Sequence, residues 1–359
     1  MIMYNICIFN GDMSRGGGTE RITQILANAL AEATDYNIYV LNVSNEKGIS
    51  YFPLNERVRM KTLNSGSYFE KVFSLRRFLR QNRIHILVDV DVMLGLYAFP
   101  AALFLPKVKI VSWEMFNIRN DIGSSLTKRV RQYALKHGAY YVTQTKRDMD
   151  AFLHEMVVHS PITFIYNPCD SVVSKTPYRM DSRVIMTAGH FFRTKGYDLA
   201  VEVAHILFQK HPEWSWKFYG DGVQMDNVRQ RVKEYSLEKN VIFCGRVSDL
   251  SVAYDEAAIY VMTSRLEGFG LVLTEAKTHK LPTVAFDVEF GPGEIIDDGI
   301  SGYLIPPFEI EHMAEKISYL IEHPEIRAAF SEQAPDNLPK FSKDGFVSAW
   351  INLIETLLK

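Results

Sequence analysis

The stretch Arg265–Ala276 reads RLEGFGLVLTEA, and the rest of the chain is arranged around it. Just before it, Ile259 to Met262 is an apolar run that predicts a buried strand. After Gly270, the residues Leu271, Val272 and Ala276 with the helix-favouring Glu275 and Lys277 predict a helix. The segment is therefore strand, glycine loop, helix start. A helix start leaves N–H groups unpaired and carries positive dipole character, which suits a phosphate. Gly268 and Gly270, on either side of Phe269, let the backbone approach such a group. Glu267 falls in the loop and Glu275 in the second helical turn; ionised carboxylates only accept hydrogen bonds, so both suit sugar hydroxyls.

The same order recurs upstream. Val184 to Ala188 predicts a strand, Gly189 to Gly196 (GHFFRTKG) a loop and Tyr197 to Gln209 a helix. Arg193 and Lys195 in that loop are cations able to clamp a diphosphate. Trp216 to Tyr219 and Val241 to Cys244 predict further strands, each followed by glycine: Gly220-Asp221-Gly222 and Gly245-Arg246. Helices are predicted over Met313 to Ile321 and Ser342 to Leu358.

The N-terminal part repeats the pattern. Met3 to Phe9 reads as a parallel-sheet strand, Asn10 to Gly18 as a glycine-rich loop, and a helix starts at Thr19. Gly16-Gly17-Gly18 offers free amides to a phosphate or sugar, but it completes neither a dinucleotide fingerprint nor a P-loop. The next strand, Ile38 to Val43, carries Asn42 rather than an acid for an adenosine ribose. Strands are also expected over Ile84 to Val90, Val108 to Ser112, 139–143 and Ile162 to Tyr166, with a helix over 146–153. Trp113-Glu114-Met115-Phe116-Asn117 lies at a strand's C-terminal end, where open α/β sheets gather ligands.

Asn167 to Ser182, with two prolines and four Ser or Thr, reads as a linker. The expected organisation is thus a domain over 1–166, a linker over 167–182 and a second domain over 183–341.

At 359 residues there is room for two domains. A net charge of -2 gives no case for a nucleic-acid binder. Three scattered cysteines suggest neither a disulfide framework nor a zinc site, and fit a reducing cytosol. MIMYNICIF is too short and uncharged for a signal peptide. Ile86 to Leu105 is apolar enough to mimic a membrane span, but Asp89, Asp91 and Pro100 favour a strand followed by a helix over Met93 to Phe104.

Charge is unevenly spread. Ser67 to Asn82 predicts an amphipathic helix with Phe69, Val72, Phe73, Leu75 and Leu79 on its apolar side and Lys71, Arg76, Arg77 and Arg80 elsewhere. Arg119 to Arg147 holds seven Lys or Arg against Asp121. These two basic stretches suggest a surface for anionic lipid headgroups or a lipid diphosphate.

The E-x7-E run from Glu267 to Glu275 resembles the signature of retaining glycosyltransferases of the GT-B fold, family 4. Pro282-Thr283-Val284-Ala285, Gly291-Pro292-Gly293-Glu294-Ile295-Ile296, Asp298-Gly299, Gly302 and Leu304 extend the likeness, as do Gly17-Gly18-Thr19-Glu20-Arg21 and Lys195-Gly196. The resemblance implies an α/β protein of two Rossmann-like domains facing across a cleft, the last helix (342–359) crossing back to the N-domain. The first domain would bind the acceptor and the second a nucleotide-sugar donor, with no cofactor and no metal.

By the same resemblance, Lys195 and Arg193 neutralise the diphosphate with help from amides of Gly268, Phe269, Gly270 and Leu271 and of Gly17 and Gly18. Glu267 binds the donor sugar and Glu275 the ribose. Arg246 lies near the base. Glu114, Met115 and Asn117 lie on the acceptor side. Two positions depart from the family: Met115 stands where members carry a histidine, and His190 where they carry an arginine. The implied activity is transfer of a hexose or N-acetylhexosamine, with UDP the expected carrier, to a glycan or a polyprenyl-diphosphate-linked glycan. The implied setting is bacterial surface-polysaccharide assembly in the cytoplasm, at the inner face of the membrane.

Other chemistries fit less well. Asp89-Val90-Asp91 and Asp148-Met149-Asp150 have the Asp-x-Asp spacing of metal-dependent transferases, but lie at a strand end and a charged helix start. Glycoside hydrolysis needs carboxylates on both sides of the scissile bond, whereas Glu267 and Glu275 share one loop and helix. A transferase-derived binding or scaffold protein is the alternative that Met115 and His190 leave open.

Overall fold

A computed structural model describes residues 3–45, 47–63, 66–120, 125–169 and 172–359. The described chain forms two compact units, Met1–Pro168 with Lys343–Lys359, and Cys169–Ser342.

Unit 1 holds a seven-stranded parallel sheet. Its strands are β1 (Asn5–Asn10), β2 (Asn37–Asn42), β3 (Val58–Thr62), β4 (Ile86–Val90), β5 (Lys109–Trp113), β6 (Tyr140–Thr143) and β7 (Ile162–Phe164). Their order across the sheet is β3-β2-β1-β4-β5-β6-β7, so the winding reverses between β1 and β4. The central strands are buried along most of their length, which is why they read as unbroken apolar runs. Helices α1 (Gly18–Ala33), α2 (Tyr68–Gln81), α3 (Gly95–Ala102), α4 (Ser125–His137) and α5 (Lys146–Glu155) accompany the strands.

Two basic stretches differ from their sequence reading. In α2 only Leu75 and Leu79 are buried, while Phe69 and Phe73 stand in solvent. The helix touches the unit along a narrow stripe, so an apolar pattern overstates its buried side. Within Arg119 to Arg147, Arg131 is buried and Arg119 pairs with Glu155, so that run is not simply a solvated face.

Unit 2 has six parallel strands: β8 (Val184–Ala188), β9 (Ser215–Tyr219), β10 (Val241–Gly245), β11 (Ile259–Met262), β12 (Thr283–Phe286) and β13 (Gly302–Ile305). The order is β10-β9-β8-β11-β12-β13, reversing between β8 and β11. Helices α6 (Tyr197–Lys210), α7 (Met225–Glu234), α8 (Ser251–Glu256), α9 (Leu271–Thr278), α10 (Pro292–Ile295), α11 (Ile310–Glu322) and α12 (Pro324–Gln333) complete it. Residues 174–182 of the stretch read as a linker are tied to unit 2, since Ser174 and Thr176 donate to Asp255 and Ser182 to Glu256 O, whereas Asn167 donates to Gln144 of unit 1.

The last helix, α13 (Lys343–Leu358), returns to unit 1. There Trp350 meets Trp113 edge-on with ring centroids 4.7 Å apart. Among the described residues, no helix is long and apolar enough to cross a membrane; Ile86 to Leu105 holds β4 and α3 instead.

Candidate functional site

In a parallel sheet all loops after the strands leave from one edge, and a ligand fits where the winding reverses. In unit 2 those loops follow β8 and β11, and they carry Gly189–Gly196 and Thr263–Gly270. The loops are tied together by Arg265 N donating to Thr194 O at 2.7 Å and Thr263 Oγ1 to Gly196 O at 2.9 Å. Gly196 has φ 66°, and a Cβ there would lie 2.0 Å from Thr263 O. The close approach therefore requires glycine.

Behind the first loop, the Phe191 ring stacks on Tyr197 at 3.8 Å. The Tyr197 hydroxyl donates to Gly189 O at 3.0 Å, which fixes the loop from below.

The consequence is a contact between residues 72 positions apart: Lys195 Nζ lies 2.7 and 2.9 Å from the two carboxylate oxygens of Glu267. The Glu267 side chain is 5% exposed and that of Lys195 31%. Glu275, in the second turn of α9, accepts from the Tyr254 hydroxyl at 3.1 Å. Burial raises the Tyr260 hydroxyl well above its ordinary range, and the charges of Tyr197, Glu267 and Glu275 add to this. The EGFG turn is held from outside by Gly291, whose φ is 96° and where a Cβ would meet Phe269 O at 2.3 Å. Buried Lys277 donates to Ile295 O and Ser301 Oγ, anchoring the next loop; burial lowers its ammonium to about 8.

The other donor-side residues are placed as follows. Gly268, Phe269 and Gly270 form the turn into α9, whose first residue is Leu271. Arg246 follows β10 at the same sheet edge and is exposed. His190 is exposed, with Nδ1 3.4 Å from Asp221 Oδ1. Arg193 is not brought to the Lys195–Glu267 pair; it lines a separate groove of about 440 Å³ with Phe192, Asp198, Gln224 and Arg231. The two cations are the first and last residues of one turn of 3₁₀ helix, Arg193–Lys195.

In unit 1, Gly17 is the N-cap of α1 and Gly18 its first residue. The Glu20 carboxylate lies close against Gly17, where a Cβ would be 2.6 Å from Oε2. Burial raises the Glu20 carboxyl, and the backbone amides at Glu20 and Gly17 and the charge of Arg15 partly offset it.

The three acceptor-side candidates are also internal. Glu114 is 0% exposed and faces Arg131, itself 2% exposed, with Nε–Oε2 2.8 Å and Nη2–Oε1 3.2 Å. Tyr141 donates to the same carboxylate at 2.9 Å. Arg131 also donates to the carbonyls of Asn117, Ile118 and Asn120. Asn117 is buried and caps Arg119 N–H, and buried Met115 lies 3.8 Å from Gln144 Nε2. These residues build the loop after β5 instead of lining open space, because a buried guanidinium left without its carboxylate would be strongly destabilising.

The Asp-x-Asp carboxylates also have internal duties. Asp89 Oδ2 accepts from Ser112, and burial raises its carboxyl well above the usual range; Asp148 accepts from Ile118 N–H.

Tyr254, Tyr197 and Arg131 were not singled out from sequence, and Glu20 was named there without a role of its own. Only Glu20, inside the GGTER run, carried a local signal for its role.

Two doubly wound parallel-sheet units are the architecture of the GT-B fold. The family profile described as Glycosyl transferases group 1 matches residues 172–337, which lie in the second unit. A Haemophilus influenzae protein described as an uncharacterized glycosyltransferase is 26% identical over 98% of this chain and 100% of its own length. The poly(ribitol-phosphate) alpha-N-acetylglucosaminyltransferase of Staphylococcus aureus is 34% identical over 172 residues, 47% of this chain and 35% of that protein. Among solved structures, Anabaena HepE in complex with UDP superposes with a TM-score of 0.82 at 16% identity, covering 98% of this chain and 100% of that one. That likeness carries the fold.

Proposed function

We propose that the protein is a retaining, metal-independent glycosyltransferase of family 4. It moves a hexose or N-acetylhexosamine from a UDP-sugar to a glycan, or a lipid-linked glycan, of a surface polymer. The observation that carries this reading is the meeting of Lys195 and Glu267 at the reversal point of the second sheet, with Glu275 on the adjoining helix. The Staphylococcus aureus relative, named for adding alpha-N-acetylglucosamine to a polymer, supports the sugar class and the kind of acceptor. HepE, crystallised with UDP, supports the nucleotide.

In this reading Glu275 takes the ribose hydroxyls and Glu267 those of the sugar, as acceptor-only groups beside a diol. The Lys195 ammonium and the amides opening α9 take charge from the departing diphosphate. The diphosphate leaves from the face the acceptor enters, which retains the anomeric configuration and needs no enzymic base. The acceptor rides on a polyprenyl diphosphate at the inner membrane face, in keeping with the basic stretches of unit 1.

The test is calorimetric binding of UDP, with chelator present, to the native protein and to Glu275→Ala. The expected result is binding in the micromolar range that the substitution weakens about tenfold or more, as loss of charged hydrogen bonds requires. Unchanged affinity removes the ribose role; failure of UDP, GDP and ADP alike would sink the transferase reading in favour of a binding protein.

A further inference from the structure

The apolar pattern of α2 assigns Phe69 and Phe73 to the inside, yet the rings are 70% and 69% exposed. They lie one turn apart, and exposed Arg77 and Arg80 continue the same side. Phe69 contacts Tyr68 edge-on at 5.3 Å, and Tyr68 forms one wall of an apolar groove of about 440 Å³. Phe99, Leu103, Leu126 and Tyr133 supply the other walls, with Arg129 among them. Past Leu103 the groove continues into a second hollow of about 360 Å³ beside Phe104. Phe104 is 85% exposed and sits at φ 60°, a costly backbone for a bulky residue. Contiguous apolar surface of this kind on a folded unit marks an interaction face.

Charge identifies the occupant. Unit 1 carries 22 Lys and Arg against 16 Asp and Glu, a net +6, while unit 2 carries 18 against 26, a net -8. Arg129 lines the groove and Lys109 the second hollow, with exposed Lys107 between Pro106 and Val108 of that hollow; Arg77 and Arg80 are exposed on α2, where the acid Glu70 is spent capping the helix through Ser67. A second copy of unit 1 on this face would set like charge against like.

We propose that this face docks on an anionic lipid bilayer. Phe69, Phe73, Leu103 and Phe104 enter the boundary between headgroups and acyl chains, the groove receives lipid hydrocarbon, and the surrounding cations hold anionic headgroups. The inference deepens the reading of a membrane-borne acceptor, but its test needs neither donor nor acceptor, so the two fail separately.

The test is co-sedimentation of the full chain with vesicles of phosphatidylglycerol and phosphatidylcholine in equal parts, and with phosphatidylcholine alone. Two variants accompany it, Phe69→Ser/Phe73→Ser/Phe104→Ser and Arg77→Glu/Arg80→Glu, both confined to exposed side chains. The native chain is expected to sediment with the anionic vesicles, and each variant to bind about tenfold more weakly or worse, with unfolding temperature and UDP binding unchanged. No sedimentation of the native chain overturns the proposal. Loss with the charge variant alone also does, since the aromatic side chains would then not insert. So does sedimentation velocity showing a native dimer that the aromatic variant dissolves while vesicle binding persists, because the face would then serve self-association.

Discussion

Replacing Glu267 with glutamine should tighten UDP binding while impairing sugar transfer. Both carboxylate oxygens of Glu267 hold the Lys195 ammonium, at 2.7 and 2.9 Å. For Lys195 to neutralise a diphosphate, that pairing must be shared or given up. An exposed pair costs at most about 1 kcal/mol to release, and a fully buried one about 3–5 kcal/mol to break. Here Glu267 is buried but the lysine is nearly a third exposed, so a release cost of about 1–2 kcal/mol is expected. Glutamine keeps the shape and an acceptor oxygen but not the charge. Removing the competition should raise UDP affinity about five- to thirtyfold. The assay is calorimetry with UDP on the native chain, Glu267→Gln, Lys195→Ala and the double variant. If the gain arises from the freed ammonium, it vanishes in the Lys195→Ala background, which a double-mutant cycle isolates from general charge effects. Unchanged or weakened UDP binding in Glu267→Gln, or a gain that persists without Lys195, would refute the reasoning. Turnover with the UDP-sugar should fall in Glu267→Gln, because sugar hydroxyls lose a charged acceptor.

Two further predictions concern unit 1. Glu114→Ala leaves the Arg131 guanidinium buried without its carboxylate, which should cost about 3–5 kcal/mol and lower the unfolding temperature of that unit by about 6–20 °C; a shift under about 2 °C would mean the pair is dispensable. Asp91, which follows β4 with φ 98°, has its carboxyl raised to about 6, chiefly by burial. A carboxyl raised on folding stabilises the protein below its unfolded value near 4 and loses that contribution as pH climbs to about 6. Asp91→Asn, which tolerates the positive φ, should therefore match the native chain at pH near 4 and exceed it by about 1–3 kcal/mol above pH near 6. Equal gains at both pH values in chemical denaturation would show that the carboxyl is not perturbed.

Local order was largely legible in the sequence. The runs Ile259–Met262 and Val184–Ala188 are strands over the stated residues, and the Ser67–Asn82 pattern is a helix with Ser67 as its N-cap. A buried parallel strand must be apolar throughout, and a cap must offer a side-chain acceptor, so such features are written within a few residues. The short strand Val58–Thr62 went unread because it lies at the sheet edge, where its alternate residues are exposed and the apolar signal fades. Helix α4 was obscured by its charge, since its buried side includes Thr127 and Arg131.

By itself, then, the sequence determined the succession of strands, glycine turns and helices, and the two carboxylates at the head of α9. Only the tertiary structure decided which charges meet. Strand order places β8 beside β11 and so brings Lys195 to Glu267; Arg193, two residues away, faces another groove. Likewise it turned Glu114 inward to Arg131 and left Phe69 and Phe73 outside. Side-chain type limits what a residue can do, but the partner it does it with is set by neighbours distant in sequence, and burial is a property of the assembled layers.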